Sequence, residues 1–313
     1  MNWQLVPQFA ITGLLIGGPI ALNALGLVLI FKSSYIFNFA QGQMLLVGTF
    51  VTWWLSVDIG LPLWLAALLA LALSALLGLA IERMALRPMT GQPLLSIILM
   101  TLALSQVLQG LALLLFGGIQ RNFPRIFPAS DPYRFTLPFT FNDQPINVIL
   151  KQNYFWSFVV AVLGVLLIGA FFQFTRTGLA MRGTSEDHEL AQSIGLPINR
   201  VFGLSWALAG IVATVAGILL ATSTGLDLSL SVVVLAAFPA VLLGGLDSIP
   251  GALVGGLIIG LSQGLVSASK VPIVRSAAEI TPFVVLLIVL LIRPCLLYTS
   301  PSPRDLRQDL VCR

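Results

Sequence analysis

Charge is what this chain has least of. Only 9% of its 313 residues are charged, against roughly 25% in a soluble domain. Water could not solvate a folded surface so poor in charge, so a soluble globular protein is excluded. A disordered chain is excluded as well, because disorder needs low hydrophobicity and high charge. Histidine is limited to His188, and the two cysteines, Cys295 and Cys312, fall in the last 19 residues. That leaves no metal motif and no disulfide framework. There is no H-E-x-x-H run for a metalloprotease, and no histidine within an apolar run to serve a serine nucleophile. Asp247 has no second intramembrane aspartate to pair with. The lysines are Lys32, Lys151 and Lys270. None follows a glycine, so a phosphate-binding loop is missing. Acids deep inside apolar runs are nearly absent, with Glu82 and Glu279 at run ends, so no proton relay is visible. The N-terminus lacks the basic region of a cleavable signal peptide. We therefore expect no enzyme, no catalytic residue, no metal and no cofactor.

Apolar sequence is what the chain has in abundance. Hydrophobic residues make up 58% and the mean hydropathy is +0.99. Nine apolar segments can be read: Phe9–Phe31, Tyr35–Val57, Leu61–Ile81, Leu94–Phe116, Tyr154–Phe174, Val201–Thr222, Ser231–Leu246, Gly251–Ala268 and Val271–Ile292. Helices are the expected spanning element, so the fold class is all-α, a polytopic membrane protein with about eight to nine transmembrane helices. The seventh and eighth segments are short and glycine-rich, as spans buried in protein or lining a cavity can be. The formal net charge of +4 comes from basic residues at the ends of apolar runs. That reads as a topology signal and not as a nucleic-acid site. With the N-terminus outside, Lys32, Arg83, Arg87, Arg176, Arg182, Arg200 and Arg293 fall in the cytoplasm, which predicts an N-out, C-in inner-membrane protein.

Two loops stand out. The outer loop 117–153 is rich in proline and aromatics, and Thr136–Phe141, Asn142-Asp143 and Ile146–Ile149 predict a small hairpin. Two readings stand side by side: a cap over the helix ends, or a docking surface for an external partner. In the inner loop 175–200, Thr184-Ser185-Glu186-Asp187 reads as a helix start with a hydroxyl N-cap and acids in the first turn. Leu190, Ala191 and Ile194 then share a face, and Gly195 and Pro197 end the helix. Such a helix can lie in the interface plane or plug into a cleft on a partner.

Within the spans the polar residues are neutral. Asn23 lies in the first span. Asn38, Gln41 and Gln43 are in the second, Thr101, Ser105, Gln106 and Gln109 in the fourth, Ser205 in the sixth, and Ser262 and Gln263 in the eighth. Each can hydrogen-bond helix to helix; together they also suit a weak polar path for a neutral or zwitterionic solute. Small residues recur at four-residue spacing, at Gly256, Gly260 and Gly264 and at Ala209, Ala213, Gly217 and Ala221, a device for close helix packing. Pro19 and Pro239 are candidates for broken helices.

Four ordered stretches carry a resemblance. They are Ala21-Leu22-Asn23-Ala24-Leu25-Gly26-Leu27 with Phe37-Asn38-Phe39-Ala40-Gln41-Gly42-Gln43-Met44; Thr175-Arg176-Thr177-Gly178 leading into Ser185-Glu186-Asp187, Ala191, Gly195 and Arg200-Val201; Leu243-Gly244-Gly245-Leu246-Asp247-Ser248-Ile249-Pro250-Gly251-Ala252; and Ile292-Arg293-Pro294. Over about residues 9–294 the chain resembles LivH-type permeases, membrane subunits of ABC importers for branched-chain and other hydrophobic amino acids. The resemblance implies a coupling helix at Ser185 to Leu196 that docks on an ATP-binding-cassette ATPase subunit. Its residues are Ser185, Glu186, Asp187, Leu190, Ala191, Ile194 and Gly195. It also implies a second permease subunit, expected to be a paralogue, and an external solute-binding protein that meets the outer loop.

We expect a translocation pathway at Asn23, Asn38, Gln41, Gln43, Ser105, Gln109 and Gln263, surrounded by membrane lipid and with no nucleic-acid partner. Two departures matter. The family commonly has N-F-A-H-G-E where Gln41 and Gln43 stand here, so two titratable groups are lost while hydrogen bonding remains. After Pro294, Cys295 to Arg313 is polar and departs from the family's apolar ending. We expect a single permease domain over 1–294 and a non-native or disordered tail over 295–313. The rival reading is a self-sufficient secondary transporter or channel for a small neutral solute. A third reading is a membrane scaffold in which the polar residues only pack helices.

Overall fold

A bilayer core offers no water to peptide groups, so apolar runs of this length satisfy their own hydrogen bonds by coiling. The computed structural model describes residues 5–89, 91–127, 132–141, 144–186, 198–269 and 271–292. Among the described residues, six helices are long and apolar enough to cross a membrane. They are α1 (Val6–Ser34), α3 (Leu63–Ile81), α4 (Leu94–Phe116), α5 (Gln152–Phe174), α7 (Ile198–Thr224) and α9 (Ile249–Ser267). The bent pair α10 (Pro272–Ser276) and α11 (Thr281–Ile292) makes a seventh if counted as one span. Two further apolar segments have 17 residues each. One is α2 (Gln41–Val57). The other is a 3-10 run, Leu228–Ala236, that continues into α8 (Ala237–Gly244). The nine apolar segments of the sequence thus correspond to six long helices, one bent pair and two shorter segments.

The short segment 228–244 gains length from its geometry. A 3-10 helix rises about 2.0 Å per residue and an α-helix about 1.5 Å. Nine residues of one and eight of the other reach about 30 Å, the thickness of a bilayer core. The ninth segment behaves differently. It bends by 74° after Glu279, ahead of Pro282, which has no N–H to continue a helix. Pro19, by contrast, does not break α1, which runs unbroken through it. Membrane helices tolerate an interior proline where neighbours pack around the freed backbone. Pro239 falls at the start of α8, just past the junction with the 3-10 run.

Helices α1 and α7 form the centre. Of their apolar stretches 89% and 78% are buried, against 28% or less for α3, α4, α5 and α9. The remaining faces of those four are exposed and apolar. Small residues let the inner helices touch backbone to backbone. Gly13 and Gly17 of α1 face Gly260 and Gly256 of α9 so closely that an added Cβ at Gly13 would stand 2.5 Å from the Gly260 carbonyl oxygen. On α7, Gly217 lies against Thr49 and Leu45 of α2, and Thr214 Oγ1 donates to Ser74 Oγ of α3 at 2.6 Å. The expected packing role of both stripes is what the structure contains.

The expected hairpin is present as β1 (Tyr133–Phe141) and β2 (Gln144–Leu150), antiparallel, with an irregularity between Thr136 and Thr140. Asn142 and Asp143 lie outside the described residues. The preceding strand of loop is tied to the helix ends. Trp53 Nε1 donates to the Asn122 carbonyl at 3.1 Å, and the Arg121 guanidinium lies 4.2 Å from the Trp53 ring centre. Beyond α5, helix α6 spans Arg176–Glu186. Its start is capped by Thr175, whose Oγ1 accepts from Gly178 N–H at 3.0 Å. Thr184 is therefore not a helix start. It sits in the last turn of α6, donating to the Met181 carbonyl at 2.9 Å. Asp187, Leu190, Ala191, Ile194 and Gly195 lie outside the described residues.

Candidate functional site: a buried amide centre

The turn between α1 and α2 builds the site. Tyr35 takes a left-handed conformation (φ 54°) that closes α1, its N–H bonding to the Phe31 carbonyl. The chain then turns back into the bundle. Asn38 Oδ1 accepts from Ala40 N–H at 3.0 Å, an Asx-type turn that aims the amide nitrogen inward. Asn38 Nδ2 donates to Gln41 Oε1 at 3.1 Å, and Gln41 Nε2 donates to the Ala209 carbonyl of α7 at 3.3 Å. Gln41 fits because Gly26 of α1 has no side chain; a Cβ there would overlap Gln41 Nε2. The next residue, Gly42, admits the 3-10 run, since its Cβ would stand 2.6 Å from the Ser231 carbonyl oxygen. The motif glycines and amides thus join α1, α2, α7 and the 3-10 run at one place. Thr101 of α4 closes the side, its Oγ1 lying 3.3 Å from the Phe37 carbonyl oxygen while it donates to the Ile98 carbonyl of its own helix at 2.9 Å.

The predicted pathway residues separate into groups. Asn38 and Gln41 are paired and fully buried, at 1% and 0% exposure. Gln43 and Gln109 meet across α2 and α4 at 3.5 Å, at half-buried positions. Ser105 donates within its own helix, to the Leu102 carbonyl at 2.7 Å. Gln263 is half-buried on α9 and adds no hydrogen bond to this cluster among the described residues. Asn23 is different again. It is 2% exposed, and neither amide atom has a hydrogen-bond partner. An orphaned buried amide is costly, so Asn23→Leu is expected to stabilise the chain by about 1 kcal/mol. If Asn23 serves the solute, uptake falls in the same variant. A thermal unfolding curve beside an uptake assay reads both, and a lowered melting temperature would show that Asn23 holds the fold.

Cavities flank this centre. One of about 420 Å³ lies at the end marked by Tyr35, Glu82 and Asn199. Another of about 750 Å³ lies between α5 and the α8–α9 turn at the same end. There Lys32 Nζ donates to the Asp247 carbonyl at 2.9 Å. A third, of about 910 Å³, opens at the opposite end, with Arg125, Lys151 and Thr224 on its walls. Asn23, Asn38 and Gln41 line none of the three, so the polar centre is packed shut between them.

One charged pair escaped the reading of the sequence. Glu82 is 3% exposed and takes two contacts from Arg87, Nε to Oε1 at 3.3 Å and Nη2 to Oε2 at 3.2 Å. Residues five apart do not meet on an α-helix. They meet here because Glu82–Leu86 is a π-helical turn, with Arg87 N–H bonded to the Glu82 carbonyl. No sequence pattern announces such a turn.

A helical membrane protein with a neutral polar centre, packed shut between cavities at its two ends, has the build of a solute permease. Residues 9–292 match the family described as "Branched-chain amino acid transport system / permease component", and the chain belongs to that family. It is 28% identical over 298 residues to the high-affinity branched-chain amino acid transport system permease protein LivH of Escherichia coli (strain K12), covering 92% of this chain and 93% of that one. It is 32% identical over 259 residues to the probable branched-chain amino acid transport permease protein LivH of Methanocaldococcus jannaschii, covering 79% of this chain and 77% of that one. A solved structure, PsaBC from Streptococcus pneumoniae in complex with Fab, is similar over 98% of this chain and 96% of that chain, with 19% identity and a TM-score of 0.46.

Proposed function

We propose that this chain is the permease subunit of an ATP-binding-cassette importer, passing branched-chain or other hydrophobic amino acids delivered by an external binding protein. The observation that carries this reading is the amide centre closed between end cavities. It has hydrogen-bonding capacity without a titratable group in the cluster, which suits a solute that moves without proton exchange. Energy then has to arrive from outside the bundle, from ATPase subunits on the inner side. A second permease subunit and an external binding protein complete the assembly, the latter meeting the end that carries the hairpin. The N-terminus lies outside in this reading, which puts Lys32, Arg87, Arg182 and Arg200 on the cytoplasmic face in keeping with the positive-inside bias.

Coupling runs through the segment that begins at Ser185 and Glu186, the last residues of α6, and continues through Asp187, Leu190, Ala191, Ile194 and Gly195. Helix α6 packs against both α5 and α7, so a pull on its far end would be delivered to the central helix. Replacing Glu186, Leu190 and Ile194 by alanine is expected to abolish co-purification of the ATPase while the helical circular dichroism of the permease is unchanged. The permease alone is expected to hydrolyse no ATP and to concentrate no amino acid in liposomes. Uphill uptake by the chain alone would refute the reading outright.

A further inference from the structure

We propose that the cavity of about 910 Å³ at the hairpin end is a receiving chamber for amino-acid zwitterions: Arg125 and Lys151 draw in the carboxylate, and Ser223 with the carbonyl end of α7 accepts the ammonium. The proposal rests on the reading of the chain as an amino-acid permease and deepens it, naming where a solute first meets this chain and by which charges.

Charge is the first argument. Arg125 and Lys151 are both exposed on the cavity wall. Among the described residues neither side chain makes an ion pair or a hydrogen bond, and no aspartate or glutamate lines the cavity. Asp227, two residues beyond Gly225, is engaged elsewhere, accepting from the Ser229 hydroxyl at 2.6 Å. Two uncompensated cations on a concave wall raise the local concentration of anions. The arginine adds a planar fork of donors that fits a carboxylate.

The second argument is the wall made by the end of α7. The Thr222 carbonyl accepts from Asn153 Nδ2 at 3.0 Å and the Thr224 carbonyl from Gln120 Nε2 at 3.3 Å. A carbonyl oxygen has two lone pairs, so each can accept once more. Between them Ser223 also lines the cavity, and its hydroxyl makes no hydrogen bond among the described residues. A helix C-terminus is the negative end of its dipole and favours a cation. Acceptors for an ammonium and donors for a carboxylate thus stand at one cavity. A neutral amide or urea gains from neither charge. The volume is near the top of the range for small-molecule sites, roughly 300–1,000 Å³, so selection here is by charge and not by side-chain fit.

Position is the third. The hairpin springs from the rim, because Pro132 precedes β1, Lys151 follows β2, and both line the cavity. Ser223 and Thr224 line a further cavity of about 40 Å³ as well, shared with Pro19 and Ser157. Buried hydroxyls such as those of Ser205 and Thr214 bond back to their own helix. Ser157 is 2% exposed and its hydroxyl has no partner. One turn beyond Pro19 on α1 lies Asn23, whose amide is also unmet. Unmet polar groups therefore lead from the chamber towards the amide centre.

The test uses purified protein in detergent, with Cys295 and Cys312 replaced by serine and the exposed cavity residue Asn122 replaced by cysteine. L-Leucine is expected to slow maleimide labelling of Asn122→Cys. Leucinol, which lacks the carboxylate, is expected to need about ten times the concentration for the same protection, and 4-methylpentanoate, which lacks the ammonium, about five times. Urea is expected to give none. Adding Arg125→Gln and Lys151→Gln together should raise the protecting concentration of leucine about tenfold and bring leucine and leucinol level, a change that a merely structural role would not produce. Should that variant not fold, a tenfold rise in salt is expected to weaken leucine protection in the parent and leave that by leucinol unchanged. Equal protection by leucine and leucinol in the parent overturns the proposal. So does an absence of leucine protection in a protein whose gene still confers leucine uptake on cells, which sinks the chamber and leaves the permease reading standing. Urea uptake without leucine uptake in those cells would sink both.

Discussion

Valine at Gly260 is expected to cost roughly 3 kcal/mol, the upper end of the overpacking range, and to prevent stable assembly of the α1–α9 pair. An added side chain at Gly260 meets the backbone of Gly13 and Gly17, and a Cβ at Gly13 would in turn stand 2.5 Å from the Gly260 carbonyl oxygen. Backbone on both sides cannot swing away as a flexible side chain would. Gly110 of α4 supplies the control, because a Cβ there meets nothing within 4 Å. Gly110→Val should stay within about 0.5 kcal/mol of the parent. Thermal unfolding in detergent compares the two directly, and similar melting temperatures would mean that α1 and α9 do not touch as described.

Leucine at Gln41 is expected to be the most damaging change in the polar centre. It strips Asn38 Nδ2 of its amide acceptor and leaves only the weak Met44 Sδ contact at 3.5 Å, and it removes the donor to the Ala209 carbonyl. Orphaning buried groups in this way costs about 2–3 kcal/mol, and uptake should be lost with it. Histidine at the same position is expected to be tolerated much better. A neutral imidazole keeps one acceptor for Asn38 and one donor for Ala209. Should Gln41→His and Gln41→Leu unfold at the same temperature, the hydrogen-bond chain through Gln41 does not hold the centre together.

Much of the candidate site was legible residue by residue and little of it as an arrangement. Asn38, Gln41, Gln43 and Gln109 stood out because amides are rare in apolar runs. Their pairing did not, because Gln41 and Ala209 lie 168 residues apart and nothing local couples them. Asn23 was read as one polar group among several, and only packing reveals that it alone of these has both amide atoms unmet. The expected cap at Thr184 gives way to Thr175, nine residues earlier, which offers the same hydroxyl and starts the helix that contains Thr184. Helix-start chemistry says where a helix can begin and not which of two candidates wins.

By itself the sequence determined the class of protein, the positions of nine apolar segments, the hairpin and the family motifs, since each follows from local composition or spacing in a solvent that forbids unpaired backbone. Only the tertiary structure decided that α1 and α7 occupy the centre, that the short segment 228–244 is lengthened by 3-10 winding, and that a π-helical turn brings Glu82 to Arg87. These depend on backbone geometry and on contacts between distant segments, where the energy of one arrangement over another comes from close packing and not from any residue's own preference.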